Sequence, residues 1–230
     1  MTSPGPAGMV AGALPGQHYD RGVRHNPSTV VVLAGQPGNG LLAAVGRLMN
    51  VSLVRPAEGE GAAATLRRAA GISSPYVMVA ADPLAAMAAE WTAMWEIADA
   101  PRGSEAFELR AGEALASWRA GQFELPDYYL LLAQPGSPPG TPPDAGPVPD
   151  FYLGPLRGVR SHRVAVVAAS ETAEQVAGVQ TALGSLRHGR WWPPLPEIVD
   201  TARRFYPGSL SPLPNGTAFS PLLNGTGTRT

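Results

Sequence analysis

Apolar residues fall into short runs separated by turn-forming residues, and the period of those runs alternates between two kinds. Residues 29–34 (Thr-Val-Val-Val-Leu-Ala) are β-branched and almost wholly apolar, as expected of a strand buried on both faces of a sheet. A turn, Gly35-Gln-Pro-Gly-Asn-Gly40, follows, and then a short helix over 41–49. Residues 51–54 read as a second strand, 61–70 as an alanine-rich helix and 76–80 as a third strand. The next helix places Leu84, Met87, Ala88, Trp91, Trp95 and Ala98 on one stripe and leaves Glu90 and Glu96 off it. Residues 104–120 repeat that pattern through Phe107, Ala111, Ala114, Leu115 and Trp118, with Gly121 placed to end the helix. Residues 128–132 read as a fourth strand.

Beyond a proline-rich stretch the alternation resumes. Residues 163–168 read as a strand, and Thr172-Ala-Glu-Gln175 has the spacing of a capping box. The helix it would open buries Val176, Val179, Leu183 and Leu186 and closes at Gly189. A last helix, starting near Pro196, would bury Ile198, Val199, Ala202 and Phe205. Alternating strands and helices predict an α/β three-layer sandwich around a mostly parallel, Rossmann-like sheet. One domain over 28–206 is the simpler reading, with 151–206 completing the same sheet.

Composition limits how much of the chain can pack. The 230 residues include 27 glycines and 25 prolines, and only 15% are charged. Residues 1–27 and 207–230 lack sustained periodicity and read as disordered arms. In the second arm Ser211-Pro-Leu-Pro-Asn-Gly-Thr217 returns as Ser220-Pro-Leu-Leu-Asn-Gly-Thr226. Residues 134–150 hold seven prolines in 17 residues and read as an extended linker. No signal-peptide pattern and no apolar stretch long enough to span a bilayer is visible, so the expectation is a cytoplasmic protein without membrane association.

The residue types present remove several chemistries. There is no cysteine, which excludes disulfides, thiolate metal sites and thiol nucleophiles. All 17 basic residues are arginine, a usage that resembles GC-rich, actinobacterial-type genomes. Without lysine there is no P-loop lysine, Schiff base or lysine general base. The net charge is −1 with no dense basic stripe, so no nucleic-acid partner is expected. His18, His25, His162 and His188 have no metal-ligand spacing. Ser170 lacks the flanking glycines of a nucleophile elbow and reads as part of a helix cap.

Three places remain as candidates. Gly35, Gly38, Asn39 and Gly40 form a glycine-rich turn between a strand and a helix, where backbone N–H groups can approach a phosphate. The alternative is a tight turn needing glycine for positive φ. A Walker loop would require Lys and then Ser/Thr after Gly40, where Leu41 and Leu42 stand, and the dinucleotide pattern G-x-G-x-x-G is also missing. Asp82, before Pro83, is either a ligand or metal-binding carboxylate or the cap of the next helix. Trp191 and Trp192, adjacent in a loop before a helix, either pack under the sheet edge or form an exposed aromatic anchor for a partner. Since adjacent side chains of an extended segment point to opposite sides, one can be core and the other not.

Leu33-Ala-Gly-Gln-Pro-Gly-Asn-Gly40, the 59–70 segment and Tyr76-Val-Met-Val-Ala-Ala-Asp-Pro-Leu84 together resemble the core of molybdenum-cofactor guanylyltransferases and related GT-A nucleotidyltransferases. The resemblance covers about 29–84. It implies a nucleotide loop at Gly35, Gly38 and Gly40 and a magnesium-binding aspartate at Asp82. The arginine and lysine that such enzymes carry after the first loop are absent here. Two functional readings follow. The first is a non-catalytic accessory or interaction protein that works through a protein partner and keeps a nucleotide- or phosphate-binding loop. The second is a metal-dependent nucleotidyltransferase- or glycosyltransferase-like enzyme using Asp82.

Overall fold

The structure, a computed structural model, describes residues 28–96, 105–133, 150–186 and 190–205. The expected arms, nearly all of the 134–150 linker, Ala98 and Gly189 lie outside these residues. The described elements run β1 (Thr29–Ala34), α1 (Asn39–Val45), β2 (Val51–Val54), α2 (Ala62–Ala69), β3 (Tyr76–Val79), α3 (Ala85–Glu96), α4 (Glu105–Arg119) and β4 (Tyr128–Ala133). A turn of π-helix, Tyr152–Leu156, then leads into α5 (Arg157–Val159) and a 3-10 turn, Ser161–Arg163. The chain ends in β5 (Val164–Ala168), α6 (Thr172–Ser185) and α7 (Leu195–Arg204).

The strands form one five-stranded sheet in the order β2-β3-β1-β4-β5, and every pairing among them is parallel. The segment after the proline-rich stretch belongs to that sheet, since Leu130 pairs with Ala165 and Leu131 with Val166. The central strand β1 alternates its side chains between two cores, as the two-residue period of a strand requires. Val30, Val32 and Ala34 join Leu66, Leu84, Trp91, Phe107 and Ile198, so α2, α3, α4 and α7 cover one face. Val31 and Leu33 join Leu41, Val45, Val179 and Leu183, so α1 and α6 cover the other. These two helical layers around a parallel sheet are the expected α/β sandwich.

Local chemistry explains several boundaries. Gly121 has φ +68° and stops α4 where a side chain would be strained. Pro155 cannot donate to the carbonyl of Phe151, and the Leu156 N–H takes it instead at 3.1 Å. That register of five is the π-turn. The expected capping box at Thr172 does not form. The cap of α6 is Glu171, without a side-chain bond, which moves Thr172 into the helix. Gln175 instead donates to the Ala169 carbonyl at 3.0 Å. Ser170 likewise stands one residue before the cap. The last helix begins at Leu195 on Pro194, so Pro196 takes the second helical position rather than the first.

Candidate functional site

The carboxyl end of a parallel sheet is where open α/β folds place their ligands, especially beside a strand whose neighbours' connections leave on opposite faces. Strand β1 is such a strand. The chain leaves it into α1 on one face, while β3 and β4 on either side lead to elements packed on the other. Both the glycine turn and Asp82 lie at this end.

In the glycine turn, Gly35 has φ +96°, and a Cβ there would stand 3.0 Å from the Leu132 carbonyl oxygen. Glycine is needed at this position for both reasons. Gly38 caps α1 by backbone geometry alone. A Cβ on Gly40 would meet Thr172 at ordinary contact distance, 3.8 Å, which puts the turn beside the start of α6. Asn39 and Gly40 are exposed and open the helix. Gly35 and Gly40 are separated by four residues, the interval of a Walker loop. The two side chains that would handle phosphate and metal are what differ. Leu41 is 1% and Leu42 7% exposed, and both pack in the core between α1 and α6.

Asp82 follows β3 and faces inward. Its Oδ1 accepts the Leu84 N–H at 2.9 Å, which caps the entry to α3. The same oxygen accepts the Tyr129 hydroxyl at 3.4 Å, and Oδ2 accepts a hydrogen bond from the Tyr152 hydroxyl. Tyr129 is fully buried on β4, and its ring lies 5.8 Å from that of Tyr152. As a whole residue Asp82 is only partly buried, but its carboxyl is enclosed. Burial pushes that carboxyl from its ordinary 3.8 to about 6, against the opposing pull of hydrogen bonds from Tyr152, Leu84 and Tyr129. The two tyrosines are raised well above their usual range, first by burial and then by the neighbouring carboxylate.

A cavity of about 420 Å³ opens beside Asp82, between the starts of α2 and α3 and the middle of α4. Small side chains leave this space, among them Ala62, Ala63, Ala85, Ala86 and Ala114, and Arg110 and Glu113 pair at its wall at 2.9 Å. The residues at this site do not suit a magnesium ion. Hard cations take several oxygen ligands, whereas among the described residues no three His, Asp or Glu side chains converge. Asp82 also directs its oxygens at three hydrogen-bond donors, so the donor set does not fit the ion.

The two tryptophans separate as their alternation requires. Trp192 is 5% exposed, donates its indole N–H to the Pro126 carbonyl at 2.8 Å and meets Tyr129 edge-on. Trp191 is 50% exposed, and the Arg163 guanidinium lies 4.4 Å from its ring centre. His162, the one histidine among the described residues, contacts the Arg190 carbonyl at 3.0 Å. Tyr129, Tyr152 and Arg163 carry no local signal of these partnerships, because each reaches its contact across a long stretch of chain. No protein-family model matches the chain, and neither a curated protein nor a solved structure matches it. Among the described residues no helix is long and apolar enough to cross a membrane.

Proposed function

We propose that this chain is a non-catalytic α/β accessory protein that acts by binding a protein partner, on a scaffold of nucleotide-binding type. The observation that carries the reading is the fate of Leu41 and Leu42. They occupy the positions where a phosphate-binding loop needs a lysine and a hydroxyl, and their side chains are buried in the core. Backbone N–H groups alone would then be left to meet a phosphate. Asp82 supports the same reading, because its carboxylate caps a helix and holds two buried tyrosines rather than facing solvent.

The second reading is a metal-dependent nucleotidyltransferase- or glycosyltransferase-like enzyme using Asp82. The cavity beside that residue favours it, since about 300–1,000 Å³ is the usual range of small-molecule pockets. A thermal-shift panel of nucleoside di- and triphosphates and nucleotide sugars, with and without magnesium, separates the two. Ligand at about a hundredfold over its Kd would stabilise the native state by about 2.7 kcal/mol. The expected outcome is an unchanged midpoint throughout. A magnesium-dependent rise would favour the enzyme reading instead.

A further inference from the structure

Trp191 is held on the surface by more anchors than a solvent-facing loop residue needs. Its own carbonyl accepts from Arg160 Nε at 2.8 Å. The preceding carbonyl, of Arg190, accepts from Arg163 Nε at 2.9 Å and contacts His162 Nε2 at 3.0 Å. The following residue, Trp192, is fixed in the core through its indole N–H. Beneath the Trp191 ring lies the Arg163 guanidinium, 5% exposed as a residue, which also reaches over the Tyr128 ring and donates to the Asp127 carbonyl. The result is a large aromatic surface, half exposed and with little freedom left to lose.

The surroundings are positive. Arg160 commits Nε and Nη1 to carbonyls and leaves Nη2 without a protein partner among the described residues. Arg190 is exposed, and neither it nor Arg160 is in an ion pair among the described residues. The nearby Asp127 carboxylate is turned to the Val30 N–H at 2.7 Å. Rigid tryptophan and arginine side chains are the residues that most often dominate binding energy at protein interfaces, and a preorganised anchor loses little entropy on association.

We propose that this surface docks an acidic peptide segment of a partner protein, with Trp191 as the aromatic anchor and Arg160 and Arg190 meeting its carboxylates. The inference rests on the interaction reading above and names the partner's chemistry. A net charge of −1 for the whole chain favours a locally acidic segment over a long polyanion, which needs an extended basic stripe. The contact would be sensitive to salt, because the arginines at its rim are solvent-exposed.

The test is fluorescence anisotropy with the full chain and a labelled peptide of alternating glutamate pairs and phenylalanine, against its glutamine counterpart. The glutamate peptide is expected to bind saturably and about tenfold more tightly than the glutamine peptide at low salt. Trp191→Ala is expected to weaken binding by about tenfold. Arg160→Gln and Arg190→Gln should weaken it several-fold and flatten its salt dependence. Met49→Ser and Leu109→Ser, at the other large exposed apolar residues among those described, should leave it unchanged. If Trp191→Ala lowers the melting midpoint, Trp191→Phe and the exposed Arg190→Gln carry the comparison. Absence of binding, equal binding of the two peptides, or indifference to Trp191 and Arg190 would overturn the proposal. So would tighter binding of oligo-dT or of anionic phospholipid vesicles than of the glutamate peptide. A nucleotide-dependent thermal shift tests the non-catalytic reading separately, and its outcome does not alter the peptide comparison.

Discussion

Asp82 shows how one side chain can serve a helix, two tyrosines and a titration at once. Its carboxyl has a folded-state pKa of about 6, above the ordinary 3.8, because burial outweighs the hydrogen bonds it accepts. The carboxyl therefore contributes stability that is fully present below about pH 4 and is lost as pH rises through about 6. Asp82→Asn keeps the shape and much of the capping capacity but cannot ionise. The stability of the Asn variant relative to wild type is expected to increase by about 2–3 kcal/mol between pH 4 and pH 7. Urea titrations of both proteins across that range measure the change, and a constant difference would rule out an enclosed carboxylate. Asp127 and Asp150 are also raised by burial, but they are common to both proteins and cancel. The capping half of this role was legible, since Asp before Pro83 is a local pattern. Tyr129 and Tyr152 were not, being 47 and 70 residues away along the chain.

Among the elements, every strand was legible to within a residue at each end, because short apolar runs of β-branched, aromatic or leucine residues set between polar and turn-forming segments leave few alternatives. Helix ends were less so. The Thr172-x-x-Gln175 spacing fits a cap in sequence, but the helix starts one residue earlier than that pattern requires and Gln175 finds another carbonyl. The seat of α6 on the sheet depends on Gly178, which periodicity alone passes over. A Cβ there would come within 2.6 Å of Val167 Cγ1 on β5, and a β-branched side chain has little freedom to move away. Gly178→Ala would gain about 1 kcal/mol in helix propensity but overpack by about 1–3 kcal/mol. The expected net effect is a loss of about 1–2 kcal/mol by chemical denaturation. In a Val167→Ala background the same change should become neutral or stabilising, and an unaltered loss there would show that the contact does not govern the packing.

At the scale of the whole molecule, the fold class was legible while the strand order was not. Alternating periods predict a parallel sheet, but nothing local says that β3 inserts between β2 and β1, because that depends on which buried faces fit together. The resulting order has a property common to doubly wound sheets. Strands β2, β3 and β1 come from residues before 97 and strands β4 and β5 from residues after 104, so the sheet divides along one seam, β1 against β4. Val31 to Ala34 pair with Tyr128 to Leu131 across it, and α3 packs on α4 beside it. The molecule is thus organised as two contiguous halves that supply each other's missing neighbour strand. Co-expressed as separate fragments divided between α3 and α4, they are expected to co-purify as a soluble pair, with each insoluble alone. Recovery of either half as a stable monomer would show that the seam is not what completes the core. A partner-dependent reporter could then be built by giving each half to a different binding protein, with reassembly of this sheet as the signal.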